Sequence, residues 1–323
     1  MRDNKIMADG FSKILVTGGA GFIGSHLVDR LIKNGYTVRV IDDLSTGEKQ
    51  NIAHHKNNES FQFIEGDIRD FNLVKKWVKD VDVVFHEAAL VSVSLSVEDP
   101  LLSNEINVKG SLNLLKASVD ANVKRFIYAS SCAIYGDTKE LPIIENFSGD
   151  PLSPYAADKL AVEKYAKVIN DSYEIETVGL RYFNVYGSRQ KYGPYSGVIS
   201  IFINRLLEDK VPTIFGDGEQ TRDFVNVKDV IEANMLALSK KNISGEIFNI
   251  SSGRAITINN ILNIIRKLLK KEEIEPIYSE ARPGDIKHSY ADISKAQKIL
   301  EYEPKIQISD GLEKLIQYSL KHK

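Results

Sequence analysis

The chain has 323 residues, of which 43% are hydrophobic, so it can bury a large core in one big or two modest domains. Its 42 basic and 44 acidic residues give a formal net charge of −2 with no block of one sign, which argues against a nucleic-acid or membrane-surface partner. A single cysteine, Cys132, excludes an intramolecular disulfide, and the six histidines lack metal-ligand spacing, so no metal site is predicted.

The chain begins with a polar segment, residues 1–11. This segment lacks the apolar stretch that a signal peptide needs, and no later apolar run is long enough to span a bilayer. The sequence therefore predicts a cytoplasmic protein without a membrane partner.

The first structural signal is a β-branched run, Lys13–Thr17, that leads directly into a glycine-rich turn and a helical pattern ending at Lys33. The glycines Gly18, Gly21 and Gly24 allow a tight turn and close approach of the backbone to a pyrophosphate, whose charge would sit at the helix N-terminus. An ordinary strand-to-helix turn is the alternative interpretation. The pattern predicts a site for a dinucleotide.

The second predicted strand, residues 36–41, supports that interpretation because it ends in Asp42. A carboxylate at this position would lie where the adenosine ribose hydroxyls bind, and it would repel the additional phosphate of NADP. The sequence therefore predicts NAD as the cofactor.

Two further strand-helix units follow, with strands at 61–64 and 81–85. Asp67, after the first of them, could contact the adenine edge or cap the next helix, and the spacing favours neither. Ala88 and Ala89, after the second, are small enough for a cofactor to lie against the strand end. Close packing of strand and helix would select small residues there as well.

A fifth strand, Arg125–Ala129, precedes Ser131, and Pro154 then marks the first turn of a helix. Tyr155 and Lys159 lie one turn apart on one face of that helix. We expect the ammonium to lower the pKa of the phenol toward neutrality, so that Tyr155 can act as a general base. Ser131 can donate a hydrogen bond to a substrate hydroxyl or carbonyl beside it.

The alternation of strands and helices predicts an α/β protein with a Rossmann-type, doubly wound parallel sheet, whose ligand lies along the C-terminal strand ends. After a sixth strand, 176–181, the chain changes to loops rich in tyrosine and glycine. We therefore predict an NAD-binding Rossmann domain at 12–181 and a smaller C-terminal α/β substrate domain at 182–323. A segment near 222–250 is expected to return to the first domain.

Together these motifs resemble the extended short-chain dehydrogenase/reductase family, and within it the UDP-glucose/UDP-N-acetylglucosamine 4-epimerase type. The glycine turn, Ser131, Tyr155-x-x-x-Lys159 and the run Arg181–Asn184 occur in the family's order. The resemblance implies an enzyme that holds NAD tightly and converts a UDP-sugar, with Ser131, Tyr155 and Lys159 as catalytic residues. The implied cofactor contacts are Gly18, Gly21, Phe22, Ile23, Asp42, Asp43, Ser45, Thr46, Gly47, Asp67, Ile68, Ala88, Ala89, Asn107, Tyr155, Lys159 and Tyr182. The implied substrate contacts are Ser92, Ser131, Tyr155, Asn184, Val198, Phe215, Arg222, Arg282, Asp285 and Ser289.

Two local features favour one reaction within this family. Dehydratases and decarboxylases that resemble the chain carry acidic residues just after the serine, where this chain has Cys132 and Ala133. Without an acid to protonate a leaving hydroxyl, elimination lacks a catalyst, so epimerisation at C4 is favoured. Ser289 matches a gate residue, and its small size would admit a 2-acetamido group.

Three other functions stay open at this stage. They are a UDP-glucuronate 4-epimerase, a reductase with net turnover and an NAD-binding regulator without catalysis. The helices at 101–119 and 160–169 are apolar around much of their circumference, which predicts a homodimer, although burial within one subunit would produce the same pattern.

Overall fold

The computed structural model of the protein describes residues 10–147, 149–191, 193, 197–281 and 286–322. A seven-stranded sheet forms its centre, in the order β10-β6-β5-β4-β1-β2-β3, and every neighbouring pair of strands is parallel. The strands are β1 Lys13–Thr17, β2 Thr37–Asp42, β3 Phe61–Glu65, β4 Val83–His86, β5 Arg125–Ser131, β6 Glu176–Tyr182, β7 Asn184–Tyr186, β8 Thr213–Phe215, β9 Thr221–Asn226, β10 Ile247–Ile250, β11 Ala255–Thr257, β12 Ile277–Ser279 and β13 His288–Ser289. This architecture confirms the predicted Rossmann-type α/β fold.

Helices cover both faces of the sheet and continue into the C-terminal part. They are α1 Phe22–Lys33, α2 Phe71–Trp77, α3 Val93–Glu98, α4 Pro100–Asn104, α5 Gly110–Asp120, α6 Pro154–Ser172, α7 Val198–Leu207, α8 Val227–Ser239, α9 Ile258–Leu269 and α10 Ile308–Lys321. Shorter helical turns lie at Lys49–Asn51, Ala53–His55, Glu105–Lys109, Cys132–Tyr135 and Ala296–Leu300.

Helix starts follow local side-chain chemistry. Helix α6 begins at Pro154, and the Ser153 hydroxyl accepts a hydrogen bond from the Ala156 amide, so the helix that carries Tyr155 has a fixed origin. Helix α2 is capped by Asp70, whose carboxylate accepts from the amides of residues 72 and 73. The alternative role of Asp67 as the cap of this helix is therefore wrong.

Three apolar clusters hold these layers together. Two lie on opposite faces of the sheet, one of them including Leu27 of α1 and the other Leu115 of α5. The third joins α7, α9 and α10 around Phe202. Strand β10 lies within the predicted returning segment and pairs with β6, while the division of the chain between 181 and 182 stays a prediction.

Among the described residues, no helix combines the length and the apolarity that crossing a bilayer requires.

Candidate active site

The glycine turn between β1 and α1 packs so closely against neighbouring backbone that side chains cannot be accommodated at two of its positions. Gly18 has a φ of +68°, and a Cβ on it would lie 2.7 Å from the Ala88 backbone nitrogen. A Cβ on Gly24 would lie 2.2 Å from the Gly18 carbonyl oxygen. The turn therefore presents bare backbone at the N-terminus of α1, and its residues fit the pyrophosphate of a dinucleotide.

Asp42 lies at the end of β2 beside this turn. One carboxylate oxygen accepts from the Ala20 amide and the other from the Leu44 amide, each at 2.8 Å. Burial raises the pKa of Asp42, against the effect of these amides. Asp42 thus ties the glycine turn to the strand end, and the neighbouring Asp43 is the more exposed carboxylate.

The other predicted cofactor residues surround the same edge of the sheet. Asp67 forms a two-bond contact with the Arg69 guanidinium, at 2.8 and 2.6 Å. The Asn107 amide bonds both backbone groups of Leu90, and so fixes the chain just after Ala89. The rest occupy the start of α1 (Phe22, Ile23), the loop after β2 (Ser45, Thr46, Gly47) and the segments after β3 and β4 (Ile68, Ala88).

Ser131, Tyr155 and Lys159 are all buried, with exposed fractions of 9%, 8% and 7%. Ser131 ends the central strand β5, and the other two lie on the first turns of α6. The Lys159 ammonium donates to the Ala129 carbonyl oxygen at 2.9 Å and lies 5.9 Å from the centre of the Tyr155 ring. The structure thus brings a hydroxyl, a phenol and an ammonium together at the C-terminal edge of the sheet.

The electrostatics of Tyr155 differ from the sequence prediction. Burial raises the pKa of Tyr155 to about 12, and a hydrogen bond with Ser131 lowers it only in part. Burial also lowers the pKa of Lys159 to about 8, opposed by the nearby carboxylates. The expectation that Lys159 draws the pKa of the phenol toward neutrality is therefore wrong for the protein alone, because the cost of burying a phenolate is the larger effect.

A partly buried carboxylate near Lys159 was missed by the sequence interpretation. Glu87 follows β4, and its carboxylate accepts a hydrogen bond from the Tyr182 hydroxyl at 2.9 Å. Asn234 of α8 bonds the same hydroxyl. Burial raises the pKa of Glu87 to about 7. The sequence did contain a signal for this residue, because Glu87 is a charged residue between the apolar strand β4 and the pair Ala88-Ala89.

Several of the predicted substrate residues come from the C-terminal half of the chain. Four of them line one cavity of about 500 Å³, together with apolar and aromatic side chains: Asn184, Val198, Phe215 and Arg222. Ser289 is buried and pairs in register with Arg222 across β13 and β9. Ser92 caps α3 through its hydroxyl. Arg282 and Asp285 lie outside the described residues.

The fold and this site define a class of protein: a dinucleotide-binding enzyme with a serine, tyrosine and lysine at the edge of a Rossmann-type sheet. Residues 14–251 match the NAD dependent epimerase/dehydratase family.

Solved structures give the same result over nearly the whole chain. The UDP-N-acetylglucosamine 4-epimerase of Methanobrevibacter ruminantium M1, in complex with UDP-N-acetylmuramic acid, is 40% identical with a TM-score of 0.93, covering 98% of this chain and 100% of that one. The UDP-glucose 4-epimerase of Thermotoga maritima, with UDP-glucose, is 41% identical with a TM-score of 0.90, covering 96% and 99%. The UDP-glucuronic acid 4-epimerase of Bacillus cereus, in complex with UDP-glucuronic acid and NAD, is 38% identical with a TM-score of 0.90, covering 96% and 100%.

The chain belongs to the NAD dependent epimerase/dehydratase family and is similar to its UDP-sugar 4-epimerases. The predictions of the family, of an enzyme and of NAD as cofactor are thereby confirmed.

Proposed function

We propose that this protein interconverts the C4 epimers of UDP-hexoses, namely UDP-glucose with UDP-galactose and also UDP-N-acetylglucosamine with UDP-N-acetylgalactosamine. The observation that carries the proposal is the buried cluster of Ser131, Tyr155 and Lys159 at the sheet edge. The cavity of about 500 Å³ supports it, because Asn184, Val198, Phe215 and Arg222, which the family resemblance assigns to the substrate, line it.

The chemistry follows from these groups. Tyr155 takes the proton of the sugar 4-hydroxyl while Ser131 donates a hydrogen bond to the oxygen that becomes the 4-keto group. Lys159 would bind the nicotinamide ribose and keep a positive charge beside the phenol. NAD, when bound, would supply a reversible hydride acceptor and a further positive charge. Return of the hydride to C4 on the opposite face of the ketosugar, with the proton returned from Tyr155 to the 4-oxygen, would give the C4 epimer with no net oxidation.

The ketosugar must rotate within the site so that its opposite face meets the cofactor. This rotation requires tight binding of the nucleotide and weak binding of the hexose. Arg222 and Asn184, in the cavity, are polar groups suited to a diphosphate, since a guanidinium can bind phosphate through two hydrogen bonds. Near the sugar, Ser92, Cys132 and Ser289 are small. This contrast supports a site that anchors one end of the substrate only.

The experiment that tests the function uses purified protein and no added cofactor. UDP-glucose, UDP-N-acetylglucosamine and UDP-glucuronate are incubated separately, and the products are separated by anion-exchange chromatography and identified by NMR. We expect the galactose and N-acetylgalactosamine epimers and no net oxidised or reduced sugar. Epimerisation of UDP-glucuronate alone, a net oxidised or reduced sugar product, or no conversion of any sugar even after NAD is added in a second incubation would each contradict the proposal.

Ser289→Tyr tests the size of the sugar pocket. The large ring should lower kcat/KM for UDP-N-acetylglucosamine about a hundredfold because the 2-acetamido group loses its space, while UDP-glucose is still converted. Ser289→Ala, which keeps the pocket open, is the matched control and should convert both substrates. An equal loss for both sugars in the tyrosine variant would show that Ser289 does not set substrate size.

We also propose that two copies of the chain form a homodimer. Helices α3, α4 and α6 pack together, and each of them exposes apolar side chains: Val93, Val97, Leu101, Tyr165 and Val168. Leu101 is 79% exposed, which is costly for a leucine in water. A second copy of the same face would bury these residues by two-fold symmetry.

The dimer is tested by sedimentation at micromolar concentration. The wild-type protein should have twice the chain mass of 36.2 kDa. Leu101→Glu with Val168→Glu should give a monomer, because a carboxylate would be buried in the interface. The control is Ile277→Glu, which changes an apolar side chain with 57% exposure on β12 and should leave the dimer intact. A monomeric wild-type protein would contradict the proposal.

A further inference from the structure

Two neighbouring histidines converge on one carboxylate oxygen, on the side of the sheet where α1 packs. His54 and His55 lie in the short turn Ala53–His55, and their Nε2 atoms are 2.8 and 2.7 Å from Oδ1 of Asp29 on α1. The two imidazole ring centres are 4.0 Å apart. The spacing of histidines along the sequence predicted no metal site, because Asp29 is separated from the pair by more than twenty positions and is brought to it by the fold.

We propose that Asp29, His54 and His55 form a binding site for a divalent cation of the zinc type. Their three ligand atoms all lie within 4.8 Å of one another. A tetrahedral ion with bonds of about 2.0 to 2.1 Å separates its ligands by about 3.3 Å, so small side-chain shifts convert the cluster into three corners of a tetrahedron. Imidazole nitrogens and a carboxylate oxygen suit zinc, nickel and copper.

The protonation states permit this change without net loss of a proton from the histidines. A neutral imidazole carries its hydrogen on either nitrogen, and transfer from Nε2 to Nδ1 frees the Nε2 lone pair for the metal. The Asp29 carboxylate accepts a hydrogen bond from the Arg189 guanidinium and contacts both imidazoles, so polar groups surround it on both oxygens.

Arg189 sets the strength of the site. Its guanidinium donates to Oδ2 of Asp29 at 2.8 Å, which orients the carboxylate and leaves Oδ1 toward the histidines. The same positive charge repels a dication, and the His54 side chain is 50% exposed. We therefore expect micromolar affinity. A bound ion would link the turn Ala53–His55 to α1. This turn lies a few residues after the loop 45–47 that follows β2.

The test measures binding directly and does not depend on catalysis. Tag-free protein is titrated with Zn²⁺ by calorimetry in a non-chelating buffer, and with Co²⁺ by visible absorption, which reports tetrahedral geometry. We expect one ion per chain and a rise in the melting temperature with Zn²⁺. His54→Gln and His55→Gln should each weaken Zn²⁺ binding by about a hundredfold or more. Loss of an outer hydrogen-bond partner of a ligand already costs up to about a hundredfold in affinity, and each of these variants removes a direct ligand.

The matched control is His322→Gln, which removes an imidazole near the C-terminus and should leave the affinity unchanged. His54 is half exposed, so its variant should fold whether or not the site exists. The proposal would be overturned if the wild-type protein bound no Zn²⁺ at about 100 μM. It would also be overturned if His54→Gln left the affinity for Zn²⁺ unchanged. Epimerase activity plays no part in either outcome, so this site and the proposed function fail independently.

Discussion

Replacement of Tyr155 by phenylalanine is expected to lower kcat for UDP-glucose by about a thousandfold, within the range of about 10² to 10⁴ that general acid-base catalysis contributes. Only the phenol oxygen is removed, and the ring that packs in the site stays. Burial raises the pKa of Tyr155 to about 12 in the protein alone, while Lys159 and bound NAD add positive charge that favours the phenolate. The wild-type rate should therefore rise with pH as the phenol ionises, and this rise should be absent from the variant.

The measurement is the pH dependence of kcat for the wild-type and Tyr155→Phe proteins, with bound NAD quantified in both. Tyr173→Phe serves as the matched control because Tyr173 is about half exposed at the end of the same helix. The control should keep the wild-type rate and pH profile. Near-normal epimerisation by Tyr155→Phe, with NAD still bound, would remove Tyr155 from the proposed mechanism.

Features carried by contiguous residues could be predicted from the sequence. The glycine turn, Asp42 at the end of β2 and the pair Tyr155 and Lys159 on one helical face are each encoded within a few positions. The parallel fold then brings them to one edge, because all strands of a parallel sheet have their carboxyl ends on the same side. A local pattern and a general rule of topology were sufficient for this part of the site.

Contacts between distant segments could not be predicted in the same way. The hydrogen bonds that link Glu87, Tyr182 and Asn234 join the residue after β4 to residues of β6 and α8. Their sequence positions say nothing about which of the surrounding polar groups will meet. The assignment of Asp67 shows the same limit at short range, since Asp70, three positions later, caps α2.

The pKa of Tyr155 shows a different limit. The sequence places an ammonium one helical turn from the phenol, and that charge alone would favour the phenolate. The degree of burial depends on the packing of β5, α6 and the segments after β4, and it determines which effect is larger. Charge spacing can be seen in a sequence, whereas desolvation requires the folded structure.

A large loss of stability is expected when a buried ion pair beside the catalytic residues is broken. Arg181 of β6 and Glu163 of α6 form a buried ion pair with two parallel hydrogen bonds, at 2.8 and 2.7 Å. Their side chains are only 7% and 3% exposed. Arg181 also donates to the Tyr135 hydroxyl and to the Glu145 carbonyl oxygen. Burial alone would lower the pKa of Arg181, but the hydrogen bonds and charge of Glu163 raise it, so Arg181 stays charged.

Arg181→Met should therefore lower the free energy of unfolding by about 3 to 5 kcal/mol, because Glu163 is left as a buried charge with no cation beside it and only the Ser130 hydroxyl as a donor. Urea denaturation followed by circular dichroism measures the loss. Lys167→Met is the control, since it breaks the exposed pair with Asp171 on the same helix and should cost less than about 1 kcal/mol. Adding Glu163→Gln to Arg181→Met should restore part of the stability by removing the unpaired charge. If Arg181→Met cost no more than the control, this ion pair would not be what holds α6, and with it Tyr155 and Lys159, against the sheet.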